Sequence, residues 1–111
     1  KFTEMVVNGV ETRGLNLICV DLSNSNLRSA ILVGANMEKA NLKDSNLACA
    51  NFEDANLEGA DLSGCDLSYA NFRNANLTGA NLENARMEYT DFRNASIDGA
   101  NFENIKGQKL F

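Results

Sequence analysis

Large apolar residues return at every fifth position along most of the chain. The residues in this register, called centres below, are Leu17, Leu22, Leu27, Leu32, Met37, Leu42, Leu47, Phe52, Leu57, Leu62, Leu67, Phe72, Leu77, Leu82, Met87, Phe92, Ile97 and Phe102. A helix would rotate successive centres by about 140°, and a strand would place them on opposite faces. The period of five therefore predicts neither element. It predicts a coil in which the chain turns after every unit of five residues.

The two positions before each centre are nearly as regular. Alanine lies two residues before the centre in twelve of eighteen units, and Asn or Asp lies one residue before it in fifteen of eighteen. The small substitutes for alanine are Ser25, Ser45, Cys65 and Thr90. We predict that centres and small residues form the core. Asn and Asp side chains commonly bond backbone groups in turns, so we expect the same here.

A second period, of twenty residues, runs through the same units. The phrase FRNA begins at Phe72 and again at Phe92, and glycines recur at Gly59, Gly79 and Gly99. Four units of five therefore complete one revolution, and residues twenty apart stack on each other. A repeat of fixed period is typical of a solenoid.

The residue two positions after each centre occupies the corner between units. Three of the four corner columns are rich in Gly, Asn or Asp, which tolerate positive φ. The fourth column holds Ser29, Cys49, Tyr69 and Tyr89. Because none of these residues favours positive φ, the sequence predicts a different turn geometry at that corner.

Units such as ANLEG (55–59), ADLSG (60–64) and ANLTG (75–79) resemble those of the pentapeptide-repeat family. The resemblance implies an all-β fold, a right-handed quadrilateral parallel β-helix of about five coils. We expect residues 1–20 to form a degenerate first coil or N-terminal cap. Residues 21–104 would form the repeat β-helix, and residues 105–111 a C-terminal cap or tail.

Composition excludes several classes of function. The chain has no histidine, the usual general base, and its three cysteines form no C-x-x-C pair. We therefore expect no enzyme, metal or cofactor. A net charge of −5 argues against nucleic-acid binding, and no apolar run is long enough to span a membrane. An odd number of cysteines favours a cytoplasmic location, with the thylakoid lumen and the periplasm as alternatives.

The sequence favours a scaffold that presents a rigid rod to a protein partner of unknown identity. Tyr69 and Tyr89 are twenty residues apart at one corner, and Arg73 and Arg93 point outward on the following side. Tyrosine and arginine are enriched at interface hot spots, so these four residues are the predicted binding site. The alternative is that the tyrosines stack only on each other as a ladder within the rod.

The resemblance also implies an alternative function, because some members of the family mimic DNA and inhibit type II topoisomerases such as gyrase. Two neighbouring sides of the predicted rod carry net charges of −4 and −2. The candidate acidic surface comprises Glu38, Glu58, Glu83, Asp98 and Glu103. DNA carries roughly 15 charges over a rod length of about 25 Å, far more than this chain offers. Either function is compatible with an end-to-end homodimer.

Overall fold

The computed structural model describes residues 13–107, and their regular structure consists of single-residue parallel bridges between successive coils. Each bridge residue pairs with the residue twenty positions later, as the second period predicts. We number the four sides by their bridge residues. Side 1 has Asn16, Asn36, Asn56, Asn76 and Ser96; side 2 has Asp21, Asn41, Asp61, Asn81 and Asn101; side 3 has Asn26, Asn46, Asp66, Arg86 and Lys106; side 4 has Ile31, Asn51, Asn71 and Asp91.

A tight turn separates each side from the next. At most corners the small residue of the next unit donates its N–H to the carbonyl of the preceding centre, as Ala75 does to Phe72 at 3.0 Å. The corner residue between them has positive φ, as in a type II turn. The chain therefore turns after five residues and returns to the same side after twenty.

The corner after side 3 has the same geometry as the other corners, so the prediction of a different turn there is wrong. The φ values are 62° for Ser29, Cys49 and Tyr69, and 55° for Tyr89. The cause is the backbone: the corner N–H of Tyr69 must reach the carbonyl of Glu88 in the next coil, at 2.8 Å. The same bond between coils occurs at Ser29 and Cys49, so the conformation at this corner does not depend on the side chain.

Backbone hydrogen bonds join every coil to its neighbours. The N–H of Phe52 donates to the carbonyl of Asn71 at 2.7 Å, and the N–H of Asn71 donates back to Ala50 at 2.9 Å. The bridge side chain caps the turn that follows it, since Asn71 Oδ1 accepts the N–H of Arg73 at 2.9 Å. This bond recurs around the coil, which confirms the role predicted for Asn and Asp.

Asparagine side chains also bond along the rod axis on side 1. Asn56 Nδ2 lies 3.4 Å from Asn36 Oδ1, and Asn76 Nδ2 lies 3.5 Å from Asn56 Oδ1. Asn56, in the middle of this ladder, both donates and accepts. The ladder therefore links three coils through side chains as well as backbone.

The core is a set of stacked columns, as predicted. The rings of Phe52 and Phe72 stack with centroids 4.9 Å apart, and those of Phe72 and Phe92 at 5.2 Å. Alanines and other small residues fill the space between centres. Ser45, Cys65 and Thr90 replace alanine without leaving an unbonded polar atom, because each donates to the carbonyl of a centre in the coil before.

The described part of the chain extends 33 × 23 × 21 Å. No helix long and apolar enough to cross a membrane occurs among residues 13–107. Residues 1–12 and most of the expected C-terminal cap or tail, 108–111, lie outside the described residues. The division into cap, repeat and tail and the total of about five coils therefore stay predictions.

Phe72→Ala tests the aromatic column. Phe72 is fully buried between two parallel rings, so its loss should lower the free energy of unfolding by about 3–5 kcal/mol in urea denaturation. Phe92→Ala is the matched control. Phe92 is only half-buried, and its truncation should cost clearly less; equal costs would show that the column does not act as a continuous core.

Cys49→Asn tests the geometry of the corner after side 3, one coil before Tyr69. Cys49 is exposed at φ 62°, a conformation that disfavours most side chains by about 1–2 kcal/mol and that asparagine tolerates. We expect Cys49→Asn to be more stable than Cys49→Ala by up to about 1 kcal/mol. If the alanine variant is equally stable, the corner does not require positive φ.

Candidate functional site

The tyrosine corner (Tyr69 and Tyr89) forms a short aromatic stack on the outside of the rod. The ring centroids are 5.5 Å apart, with 25° between the planes. Tyr69 is 60% exposed and Tyr89 is 38% exposed. Both backbones have positive φ, so both side chains project from a conformation that tyrosine rarely adopts.

Side 4 places two arginines around one carboxylate beside this corner. Arg93 donates to Asp91 from two nitrogens, with Nη2 2.8 Å from Oδ2 and Nε 3.0 Å from Oδ1. Arg73, one coil above Arg93, approaches the same carboxylate at 3.4 Å. The guanidinium of Arg93 lowers the pKa of Asp91 to about 2, so this carboxylate stays charged at any physiological pH.

The opposite flank of the tyrosine corner lies on side 3 and is electrically balanced. Arg86 Nη1 bonds Glu88 Oε1 at 2.9 Å, directly before Tyr89 in the chain. Directly before Tyr69 is Ser68, whose buried Oγ has no hydrogen-bond partner among the described residues. The tyrosines therefore stand between a neutral ion pair and the arginines of side 4.

The predicted acidic residues fall into two columns on sides 1 and 2. Glu38 and Glu58 lie one coil apart on side 1, and Thr78 separates them from Asp98. Glu83 and Glu103 lie one coil apart on side 2. The structure thus places these five carboxylates on the half of the rod away from the tyrosine corner.

Within residues 13–107 the structure has no pocket and no cluster of side chains suited to holding a metal ion. Cys65 is buried, which raises the pKa of its thiol to about 12, and its Sγ lies 2.9 Å from the carbonyl oxygen of Leu42. Cys65 is therefore an inert core residue.

Comparison with known families and structures gives the same account of the fold. A family model for pentapeptide repeats matches residues 13–44, 45–84 and 75–106, in eight copies. The chain belongs to the pentapeptide-repeat family. No curated protein matches it.

Solved pentapeptide-repeat structures are similar to the chain over most of its length. One from the cyanobacterium Cyanothece 51142 is 28% identical, with a TM-score of 0.54, and the match covers 89% of this chain and 88% of that one. One from Nostoc Pcc 7120 is 33% identical, with a TM-score of 0.50 and coverage of 86% and 80%. One from the Arabidopsis thaliana thylakoid lumen is 37% identical, with a TM-score of 0.49 and coverage of 81% and 59%.

Membership of the pentapeptide-repeat family means that the coil is a right-handed β-helix, and it indicates no family of enzymes. The family match names no functional residues for this chain. Sequence reasoning brought together Tyr69, Tyr89, Arg73 and Arg93, and the structure places all four on adjoining surfaces. It missed Asp91, although an aspartate two positions before Arg93, at a position that usually holds asparagine, was a visible signal.

The ion pair of Asp91 predicts a pH dependence that one substitution isolates. Because the folded pKa is depressed, Asp91 contributes stability above its ordinary pKa near 4, and this contribution disappears as the pH falls towards 2. Asp91→Asn should retain the bond to the N–H of Arg93, as the asparagines elsewhere do. The free energy of unfolding of the wild type should exceed that of the variant by at most about 1 kcal/mol near pH 6.

Urea denaturation between pH 6 and pH 2 measures this difference. Asp66→Asn is the control, because Asp66 accepts the N–H of Ser68 in the same way but makes no ion pair with a guanidinium among the described residues. A difference between wild type and Asp91→Asn that stays constant down to pH 2 would contradict the assignment.

Proposed function

We propose that this pentapeptide-repeat rod is a non-catalytic scaffold that docks a protein partner at its tyrosine corner. The observation that carries the proposal is the conformation of Tyr69, whose side chain is 60% exposed although its backbone has φ 62°. A left-handed conformation costs about 1–2 kcal/mol for residues other than Gly, Asn or Asp. At the corners that follow side 4, Asn74 and Asn94 adopt the same φ without this conformational cost.

A ladder within the rod does not account for this choice of residue. Stacking of two aromatic rings is worth about 0.5–1.5 kcal/mol beyond their burial, whereas two tyrosines in this conformation cost about 2–4 kcal/mol together. A partner that covers the rings would recover the difference. Tyrosine suits this role because it buries a large area with few rotatable bonds.

The surroundings of the tyrosine corner favour a protein over other partners. Arginine lies on both flanks, at Arg86 and Arg73, and each already has a carboxylate nearby. Nucleic acid requires a basic face, which a chain of net charge −5 does not offer. A docking surface along the side of the rod is also compatible with an end-to-end homodimer.

DNA mimicry remains the second candidate because the acidity of the rod is concentrated on sides 1 and 2. The charge density argues against it. DNA as long as the 33 Å extent of the described residues carries about 19 charges, and this chain has a net charge of −5. We rank the tyrosine corner first for that reason.

We also propose a cytoplasmic location. Cys19, Cys49 and Cys65 are all free thiols, two of them exposed. Thiols persist most readily in a reducing compartment. The thylakoid lumen and the periplasm are the competing locations, and fractionation of the source cells with an antibody against the rod distinguishes the three.

Paired substitution of Tyr69→Ser and Tyr89→Ser tests the proposed function. The immobilised rod is used to capture partners from an extract of its source cells, and a captured protein is then purified and titrated by calorimetry. We expect the double variant to bind at least tenfold more weakly, because a hot-spot aromatic residue contributes about 2 kcal/mol or more. Its melting temperature should change little.

The control is the pair Glu38→Gln and Glu58→Gln on side 1, which should leave that affinity unchanged. Unchanged binding by the tyrosine variant, together with a clear fall in melting temperature, would leave only a ladder within the rod. Loss of binding in the glutamine variant alone would favour the acidic surface instead. A rod that captures no protein would contradict the proposal.

A further inference from the structure

The charges of the rod are segregated between its two halves. When each residue is assigned to its five-residue unit, the units of sides 1 and 2 within residues 13–107 carry eight carboxylates and two lysines, a net of −6. The units of sides 3 and 4 carry five carboxylates and six cations, a net of +1. All five arginines of the chain belong to sides 3 and 4, the two sides that meet at the tyrosine corner.

On sides 3 and 4, Arg73 lies beside the tyrosine corner and uses little of its hydrogen-bonding capacity among the described residues. Asp91 is the carboxylate between Arg73 and Arg93, and Arg93 takes both of its oxygens at 2.8–3.2 Å. Arg73 approaches the same carboxylate through Nε alone, which lies 3.4 Å from Oδ2. A guanidinium has five N–H donors, and the side chain of Arg73 is 46% exposed.

Tyr69 is the corner residue at the end of side 3, and Arg73 lies four residues later on side 4. Between them Asn71 bridges to the neighbouring coils and holds the N–H of Arg73 at 2.9 Å, which fixes the backbone beneath both side chains. Four residues of extended chain span about 13 Å. A partner segment in extended conformation can therefore contact the phenol ring and the guanidinium with residues four positions apart, because such residues point to the same face of the segment.

We propose that the partner presents a single carboxylate to Arg73 and an apolar side chain to Tyr69, an inference that rests on the function proposed above. Arginine suits this contact because its planar fork bonds both oxygens of a carboxylate. Glu53 occupies the position one coil above Arg73, and sides 1 and 2 are strongly acidic. A run of several acidic residues is repelled by these neighbours, so the segment recognised has one acid next to apolar residues.

The test uses a peptide of this chemistry and nuclear magnetic resonance. The probe is an acetylated, amidated heptapeptide, Gly-Leu-Ser-Ser-Ser-Glu-Gly, and its matched control has glutamine in place of the glutamate. Titration into the ¹⁵N-labelled full chain should produce saturable shifts at the Arg73 Nε–H and the Tyr69 amide. The glutamine peptide should bind roughly tenfold more weakly, since a hydrogen bond to a charged group is worth about 1.5–3 kcal/mol.

Two variants assign the contacts. Arg73→Gln should abolish the difference between the peptides, and Tyr69→Ser should weaken both of them. Arg28→Gln, an exposed arginine on side 3, should change neither affinity. Amide spectra that are unchanged away from each substitution verify that the variants fold.

The outcomes separate this inference from the function on which it rests. Equal affinities of the two peptides would overturn the carboxylate contact and leave docking at the tyrosine corner in place. Absence of saturable shifts with the glutamate peptide would also overturn the inference. Affinities for both peptides that survive Tyr69→Ser unchanged would count against the proposed function as well.

Discussion

The structure depends on one backbone constraint, namely that each corner residue adopts positive φ and that each corner up to Asn84 sends its N–H to the next coil. The values lie between 54° and 65° at every non-glycine corner of residues 13–107. This conformation turns the chain after five residues, and four such turns bring it back above its starting point. The parallel bridges twenty residues apart follow from it. The backbone hydrogen bonds between coils offset the unfavourable positive φ of a residue such as tyrosine, so tyrosine is tolerated at this corner.

The same constraint makes the interior narrow, which explains the composition of the core. Only two positions in each unit of five face inward, the small residue and the centre, so alanine contributes as much to packing as leucine does. Identical residues stack because the coils repeat in register. The rings of Phe52 and Phe72, for example, are nearly parallel. A polar atom is admitted only where a carbonyl of the coil before accepts it. Thr90 Oγ1 bonds the carbonyl of Leu67 at 2.7 Å in this way.

The sequence predicted the fold well because every unit repeats the same local rule. Periods of five and twenty predicted the core columns, the four sides and the capping role of Asn and Asp. The prediction failed at Tyr69 and Tyr89, where side-chain preference was taken to govern a backbone that bonds between coils determine. It also missed Asp91, because the contacts of Arg73 and Arg93 depend on rotamers that residue spacing does not specify. Recognition residues have no repeating rule, so the site was less predictable than the scaffold.

Fold and recognition use different positions of each unit, and this separation allows one side of the rod to differ from another. The fold constrains the two inward positions and the φ of the corner residue. The side chain directly after each centre and the side chain of the corner residue can therefore vary in charge. Six net negative charges collect on sides 1 and 2 while arginine collects beside the tyrosines. Covering sides 3 and 4, which are nearly neutral, costs little electrostatic free energy of desolvation. Sides 1 and 2 repel acidic surfaces. A partner of the kind proposed would therefore be oriented by charge before a specific contact forms.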